Sequence, residues 1–201
     1  MIKNHILDTK KYSMKNHTDI FSKKSVLGFW IYLMSDCILF ATMFSVYCVM
    51  SQNIILDKSF FNLKIVFVET VILLLSSVFY GISILSIEYQ KFFLIYFFLL
   101  LSFFFGVFFI VLEIYEFHHL IQLGYSPQNS GLLSSFFTLV GLHGAHVTIG
   151  LLWMLGIFLQ TFKLKFNNVI YNRMLCLGLF WHFLDIIWIC VFTIVYLIGK
   201  I

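Results

Sequence analysis

Proline occurs once in 201 residues, at Pro127, and charged side chains make up only 11% of the chain. The first scarcity excludes a proline-rich linker, and the second excludes a soluble domain, whose surface needs roughly a quarter of its residues charged. The four cysteines, Cys37, Cys48, Cys176 and Cys190, fall in or beside apolar runs and form no Cys-x-x-Cys pair. They point to neither a disulfide scaffold nor a thiolate metal site, and read as small buried hydrophobes. No small-residue cleavage site follows the lysine-rich N-terminal stretch, so it is not a removable signal peptide. There is also no fixed-period repeat.

What is abundant is apolar and aromatic: 61% hydrophobic, 20% aromatic, 26 Phe, mean hydropathy +0.98. An integral membrane protein is the class that remains. Five apolar runs, about 26–51, 63–87, 92–117, 131–162 and 174–198, each exceed the roughly 20 residues a helix needs to cross a bilayer. A membrane β-barrel would need short alternating segments, whereas FFLIYFFLLLSFFFGVFFIVL is continuously apolar. The fold class is therefore all-α, a polytopic bundle of five transmembrane helices spanning 26–199, preceded by a polar tail over 1–25. The connections Asn53 to Asn62, Tyr89 to Lys91, His118 to Ser130 and Lys163 to Arg173 are too short to be domains. The fourth run, as the longest, is expected to tilt or protrude.

Positive charge gives the orientation, because flanking Lys and Arg are retained on the cytoplasmic side. Lys3, Lys10, Lys11, Lys15, Lys23, Lys24, Lys91, Lys163, Lys165 and Arg173 fall on one side, against Lys58, Lys64 and Lys200 on the other. A cytoplasmic N-terminus and a periplasmic C-terminus follow. The net charge of +4 is thereby accounted for without a nucleic-acid partner.

Asp36, Glu69, Glu113, Glu116, Asp185, His143, His146 and His182 lie in or close to the spans, where an ionised side chain costs a few kcal/mol on insertion scales. Each is expected to face a neighbouring helix, a cavity or a partner protein. A rise of about 1.5 Å per residue puts Asp36 about 15 Å deep, His182 about 12 Å and Asp185 about 16 Å, with His143 and His146 at a similar level. Glu113 with Glu116, His143 with His146 and His182 with Asp185 are i,i+3 pairs, so each pair shares a helix face. Glu113 and Glu116 are placed apart from the midplane group, near the outer surface with His118 and His119. Three readings stay open: polar pairing that fixes helix packing, a proton relay or quinone site, and a metal or haem centre. Against a metal centre, the carboxylates and imidazoles of the midplane and outer groups sit at different depths. Gly141, Gly144, Ala145 and Gly150 in VGLHGAHVTIGLLW would let another backbone approach the fourth helix. Trp181 and Trp188, seven apart, are expected on one face of the fifth.

FWIYLMSDCILF in the first span, LEIYEFHHL closing the third, FFTLVGLHGAHVTIGLLW in the fourth and LFWHFLDIIWICVFTIVYLIG in the fifth resemble subunit III of the haem-copper terminal oxidases. The likeness runs in order over about residues 26 to 199. Five spans rather than seven, and Ser-Asp-Cys where cytochrome c oxidase forms carry a Glu, are similar to the ubiquinol-oxidising, cytochrome bo type. The resemblance implies a non-catalytic subunit of a proton-pumping oxidase of the bacterial inner membrane. It implies subunit I as partner and carrier of the haems and copper, no redox cofactor in this chain, and phospholipid held between its helices. Asp36 stands where the family has a reactive membrane carboxyl. A subunit III of a cytochrome c oxidase and an independent membrane metalloenzyme are the alternatives.

Overall fold

The computed structural model describes residues 2–51, 63–89, 92–164 and 168–197. Every regular element among them is helical: α1 Ile2–Ser51, α2 Leu63–Glu88, α3 Phe92–Gln122, α4 Gly131–Leu164 and α5 Asn168–Val191, the last continuing as a π-helical turn over Phe192–Leu197. Five of these stretches are long and apolar enough to cross a membrane: Val26–Ser51, Lys64–Ile87, Phe93–Gln122, Gly131–Thr161 and Val169–Leu197. The connections expected at Asn53 to Asn62 and around Lys91 lie outside the described residues, as does Lys165.

The chain divides into two compact units, Met1–Cys37 and Ile38–Ile201. The first is a single helical stretch in which the polar residues expected as a tail run into the first span without a break. The second contains the remainder of α1 and all the later helices.

Two boundaries differ from the sequence reading. The third span continues past 117 to Gln122 because the stop signal is Gly124, not the polar EFHH. Gly124 has φ +86, the Gly124 N–H donates to the Ile121 carbonyl at 3.0 Å, and the Tyr125 N–H donates to the Leu120 carbonyl at 3.1 Å. This is a Schellman cap, which needs the left-handed conformation glycine adopts without strain. Ser130 then caps α4, its Oγ accepting from the Leu133 N–H at 3.2 Å. The fifth span begins at Val169 rather than 174 because Arg173 turns its guanidinium to the Gln160 side chain of α4 instead of ending the helix.

Between helices in lipid there is little hydrophobic drive, so small residues and hydrogen bonds set the packing. The Ser76 Oγ on α2 donates to the Ser102 carbonyl on α3 at 2.9 Å. The Tyr80 hydroxyl donates to the Met174 carbonyl on α5 at 2.8 Å, and the Tyr96 hydroxyl to the Thr161 carbonyl on α4 at 3.0 Å. The most buried span is α5. Trp181 and Trp188 are both enclosed, as the shared face required, with Trp181 Nε1 donating to Ser76 Oγ at 3.2 Å and Trp188 Nε1 to Thr70 Oγ1 at 3.1 Å. The outward faces are apolar too, with Phe93, Phe104, Leu152 and Ile186 exposed.

One expectation fails. Cys37 and Cys48 are exposed, Cys176 and Cys190 half-buried, and all four are free thiols. In a membrane span the outside is as apolar as the inside, so nothing sorts a small hydrophobe inward.

Candidate functional site

Three groups of ionisable side chains occur in the second unit. The largest was not assembled by the sequence reading. Glu69 near the start of α2, Glu113 and Glu116 near the end of α3, and Tyr196 in the π-helical turn all interact electrostatically with one another. Because α2 and α3 are antiparallel neighbours, the beginning of one and the end of the other share one end of the bundle. All four side chains are buried, Glu69 and Tyr196 completely. The Tyr196 hydroxyl donates to Glu116 Oε2 at 3.3 Å. Beside it, the Tyr47 hydroxyl donates to the Val195 carbonyl at 3.4 Å. The Glu113 carboxyl lies against Gly144 of α4, so closely that a Cβ at that position would overlap both of its oxygens. His118 and His119, expected alongside these carboxyls, are instead exposed, with the His119 ring stacked on Tyr115.

One residue back from Gly144, His143 is enclosed by rings: Trp188 at 5.0 Å, Phe109 at 5.9 Å and Phe40 at 6.4 Å between centroids. Among the described residues, neither of its ring nitrogens meets a hydrogen-bond partner. His146 shares the contact with Phe40, at 5.2 Å, while its Nδ1 lies 2.7 Å from the Leu142 carbonyl of its own helix. The i,i+3 spacing thus places both imidazoles on Phe40, and only His143 is sealed inside.

On α5 the expected His182 and Asp185 pair forms, Nδ1 to Oδ2 at 3.9 Å, with the His182 side chain 52% exposed and Asp185 buried. The Ser77 hydroxyl of α2 also reaches the Asp185 carboxyl. In the first unit Asp36 is buried, with Tyr32 one turn before it on α1. Among the described residues, no three His, Cys, Asp or Glu side chains converge in a way that could hold a metal ion.

The polar groups thus fall on several helices, in the order and setting of the motifs quoted above. The sequence profile of the cytochrome c oxidase subunit III family matches residues 5–200. The chain belongs to that family. Within it, this subunit III is 51% identical over 180 residues to the cytochrome bo(3) ubiquinol oxidase subunit 3 of Pseudomonas putida, covering 88% of this chain and 87% of that one. It is 45% identical over 205 residues to the protein of the same name from Pseudomonas aeruginosa, covering 100% and 98%. The Buchnera aphidicola (Baizongia pistaciae) protein of that name is 44% identical over 195 residues, covering 96% and 99%.

The polar contacts of this subunit III join its helices. The His143 ring, the Trp188 to Thr70 bond and the Glu113 to Gly144 contact tie α2, α3, α4 and α5 within a few turns of one another. The sequence does not join Glu69 to this group, because an apolar run that ends at 117 leaves Glu116 at the surface. With the helix running to Gln122, Glu116 and Glu69 each lie six residues inside their helix ends. That equal depth was the available signal.

Proposed function

We propose that this subunit III is the non-catalytic subunit of a proton-pumping ubiquinol oxidase of the cytochrome bo type in a bacterial inner membrane. It packs against the catalytic subunit I, holds phospholipid between its helices and supports proton uptake. The observation that carries the reading is the end-to-end similarity, at 44% to 51% identity, to proteins named as subunit 3 of cytochrome bo(3) ubiquinol oxidase. In this reading the haems and copper belong to subunit I and this chain carries no redox centre. The dispersed imidazoles support that, since haem ligation needs a nitrogen presented to open space. His143 is walled by rings, and His146 Nδ1 is turned to its own backbone. Dissociated from the purified complex, the chain is expected to show no haem band and no stoichiometric iron or copper by elemental analysis. One metal per chain would restore the metalloenzyme reading.

The exposed His182 supports the partner. An imidazole more than half exposed within a span is costly against hydrocarbon, and a covering protein relieves that cost. Asp36 belongs to the same account as a buried membrane carboxyl outside the chemistry. In the assembled complex Asp36→Asn is expected to leave initial quinol oxidation within about twofold of the parent, a change of about 0.4 kcal/mol in barrier. Its effect falls on subunit retention or on activity during sustained turnover. Immediate loss of nearly all turnover in a fully assembled variant would make Asp36 part of the reaction.

A cytoplasmic N-terminus and a periplasmic C-terminus are supported by the charge distribution, which would put ten of thirteen Lys and Arg on the inner side. A periplasm-only reporter fused after Ile201 is expected to be active and one inserted near Lys163 silent. The opposite pattern would invert the topology.

A further inference from the structure

The carboxyl cluster at the Tyr196 end of the bundle is more polar than helix packing requires. Of its oxygens, Glu116 Oε2 accepts from Tyr196. Glu69 Oε1, Glu69 Oε2 and Glu113 Oε1 are inaccessible and meet no donor among the described residues. Glu69 is the sharpest case, since its side chain is wholly buried, both oxygens are orphaned among the described residues, and its carboxyl interacts electrostatically with those of Glu116 and Glu113. A buried polar group left unpaired loses its hydration with nothing in return, and native interiors fill such places with water or an ion.

A second observation extends the same region. His143 adjoins Gly144, on which the Glu113 carboxyl rests, and both of its buried ring nitrogens are orphaned as well. Phe109, against His143, precedes Glu113 by one helical turn. Glu113 and His143 thus lie in the same stretch of the bundle, each with unpaired buried polar atoms among the described residues.

Charge and geometry select between water and an ion. The groups that interact electrostatically with Glu69 are Glu113 and Glu116 from α3 and Tyr196 from the turn after α5, with Gly144 of α4 against Glu113 and Tyr47 of α1 bonded beside Tyr196. The His182 and Asp185 pair lies elsewhere on α5. An inorganic cation needs its ligands to converge, and these carboxyls do not. A water needs only two to four polar partners around it and can bridge groups that share no centre.

We propose that Glu69, Glu113 and Glu116 form a hydrated, proton-holding site, in which internal water bridges the Glu69 and Glu113 carboxyls and the protons of the cluster exchange through that water. The ligands are water and protons. The site belongs to this chain and does not depend on which donor the oxidase uses, so a failed donor assay leaves it standing.

Infrared difference spectroscopy on the assembled complex, parent minus Glu69→Gln, reads it directly. The parent is expected to show a protonated-carboxyl C=O band that the variant lacks. The band shifts in D2O and is unchanged when sodium is replaced by potassium, calcium or choline. Glu116→Gln, whose amide oxygen still accepts from Tyr196, gives a second difference spectrum with the same expectation. Should neither variant assemble, a high-resolution cryo-EM map of the parent decides, with density for water between Glu69 and Glu113 expected. A lost band in the ionised-carboxylate region that depends on the inorganic cation would overturn the proposal in favour of a cation site. A C=O band that never shifts in D2O, or a map with the carboxyls packed dry, would overturn it outright.

Discussion

Trp181→Ala is expected to lower the stability of the bundle by about 3–5 kcal/mol, the cost of deleting a fully enclosed aromatic ring. Trp181 reaches three other helices at once. Its indole N–H donates to Ser76 on α2, which itself bonds Ser102 on α3. Its ring lies so close to Gly106 of α3 and Gly150 of α4 that a Cβ would come within 3.0 Å and 2.8 Å of ring carbons, respectively. Those two glycines leave the slot that the indole occupies, and lipid cannot fill a void sealed by four helices. The loss is read as the denaturant or temperature at which the subunit leaves the detergent-solubilised complex. Ser76→Ala removes only hydrogen bonds and is expected to cost about 0.6 kcal/mol each, the average for interhelical polar contacts in membranes. Trp30→Ala, at an exposed indole, is expected to stay within about 0.5 kcal/mol. A Trp30 effect as large as that of Trp181 would mean the exposed face of α1 bears load that the packing does not show.

The second large effect is at Gly144. A Cβ there would overlap the Glu113 carboxyl, and Glu113 is buried and cannot swing into solvent to make room. Gly144→Ala is expected to cost about 1–3 kcal/mol, and Gly144→Val to prevent stable incorporation of the subunit, because overpacking forces backbone as well as rotamer shifts. Gly156, on the same helix, is the control. No described residue lies within 4 Å of a Cβ at Gly156, so Gly156→Ala is expected to be neutral or stabilising by up to about 1 kcal/mol through helix propensity alone. Subunit retention after purification separates the two positions. Equal behaviour of Gly144→Ala and Gly156→Ala would refute the close approach of α3 and α4.

The membrane class, the five spans and the glycine-lined face of α4 were legible in the sequence, because continuous apolar length and small residues are local signals. The i,i+3 pairing of His182 with Asp185 was legible for the same reason. The joining of Glu69 to Glu113 and Glu116 was not, since it depends on where α3 stops, and that stop is set by one left-handed glycine rather than by polarity. The exposed positions of Cys37 and Cys48 were hidden by a different cause: in lipid the inside–outside contrast that sorts residues in water is absent. The separation of His143 from His146, one sealed among Trp188, Phe109 and Phe40 and the other bonded to its own helix, follows from tertiary packing that no spacing rule contains.

The most direct measurement of the central claim is to affinity-tag this chain in its native membrane, purify what it carries and assay the product with reduced ubiquinol and with reduced cytochrome c as donors. The account predicts a multisubunit complex with haem and copper in another chain, oxygen consumption driven by ubiquinol, and no activity with cytochrome c. Oxygen consumption driven by cytochrome c alone, or a haem-free chain purified without partners and active by itself, would contradict it.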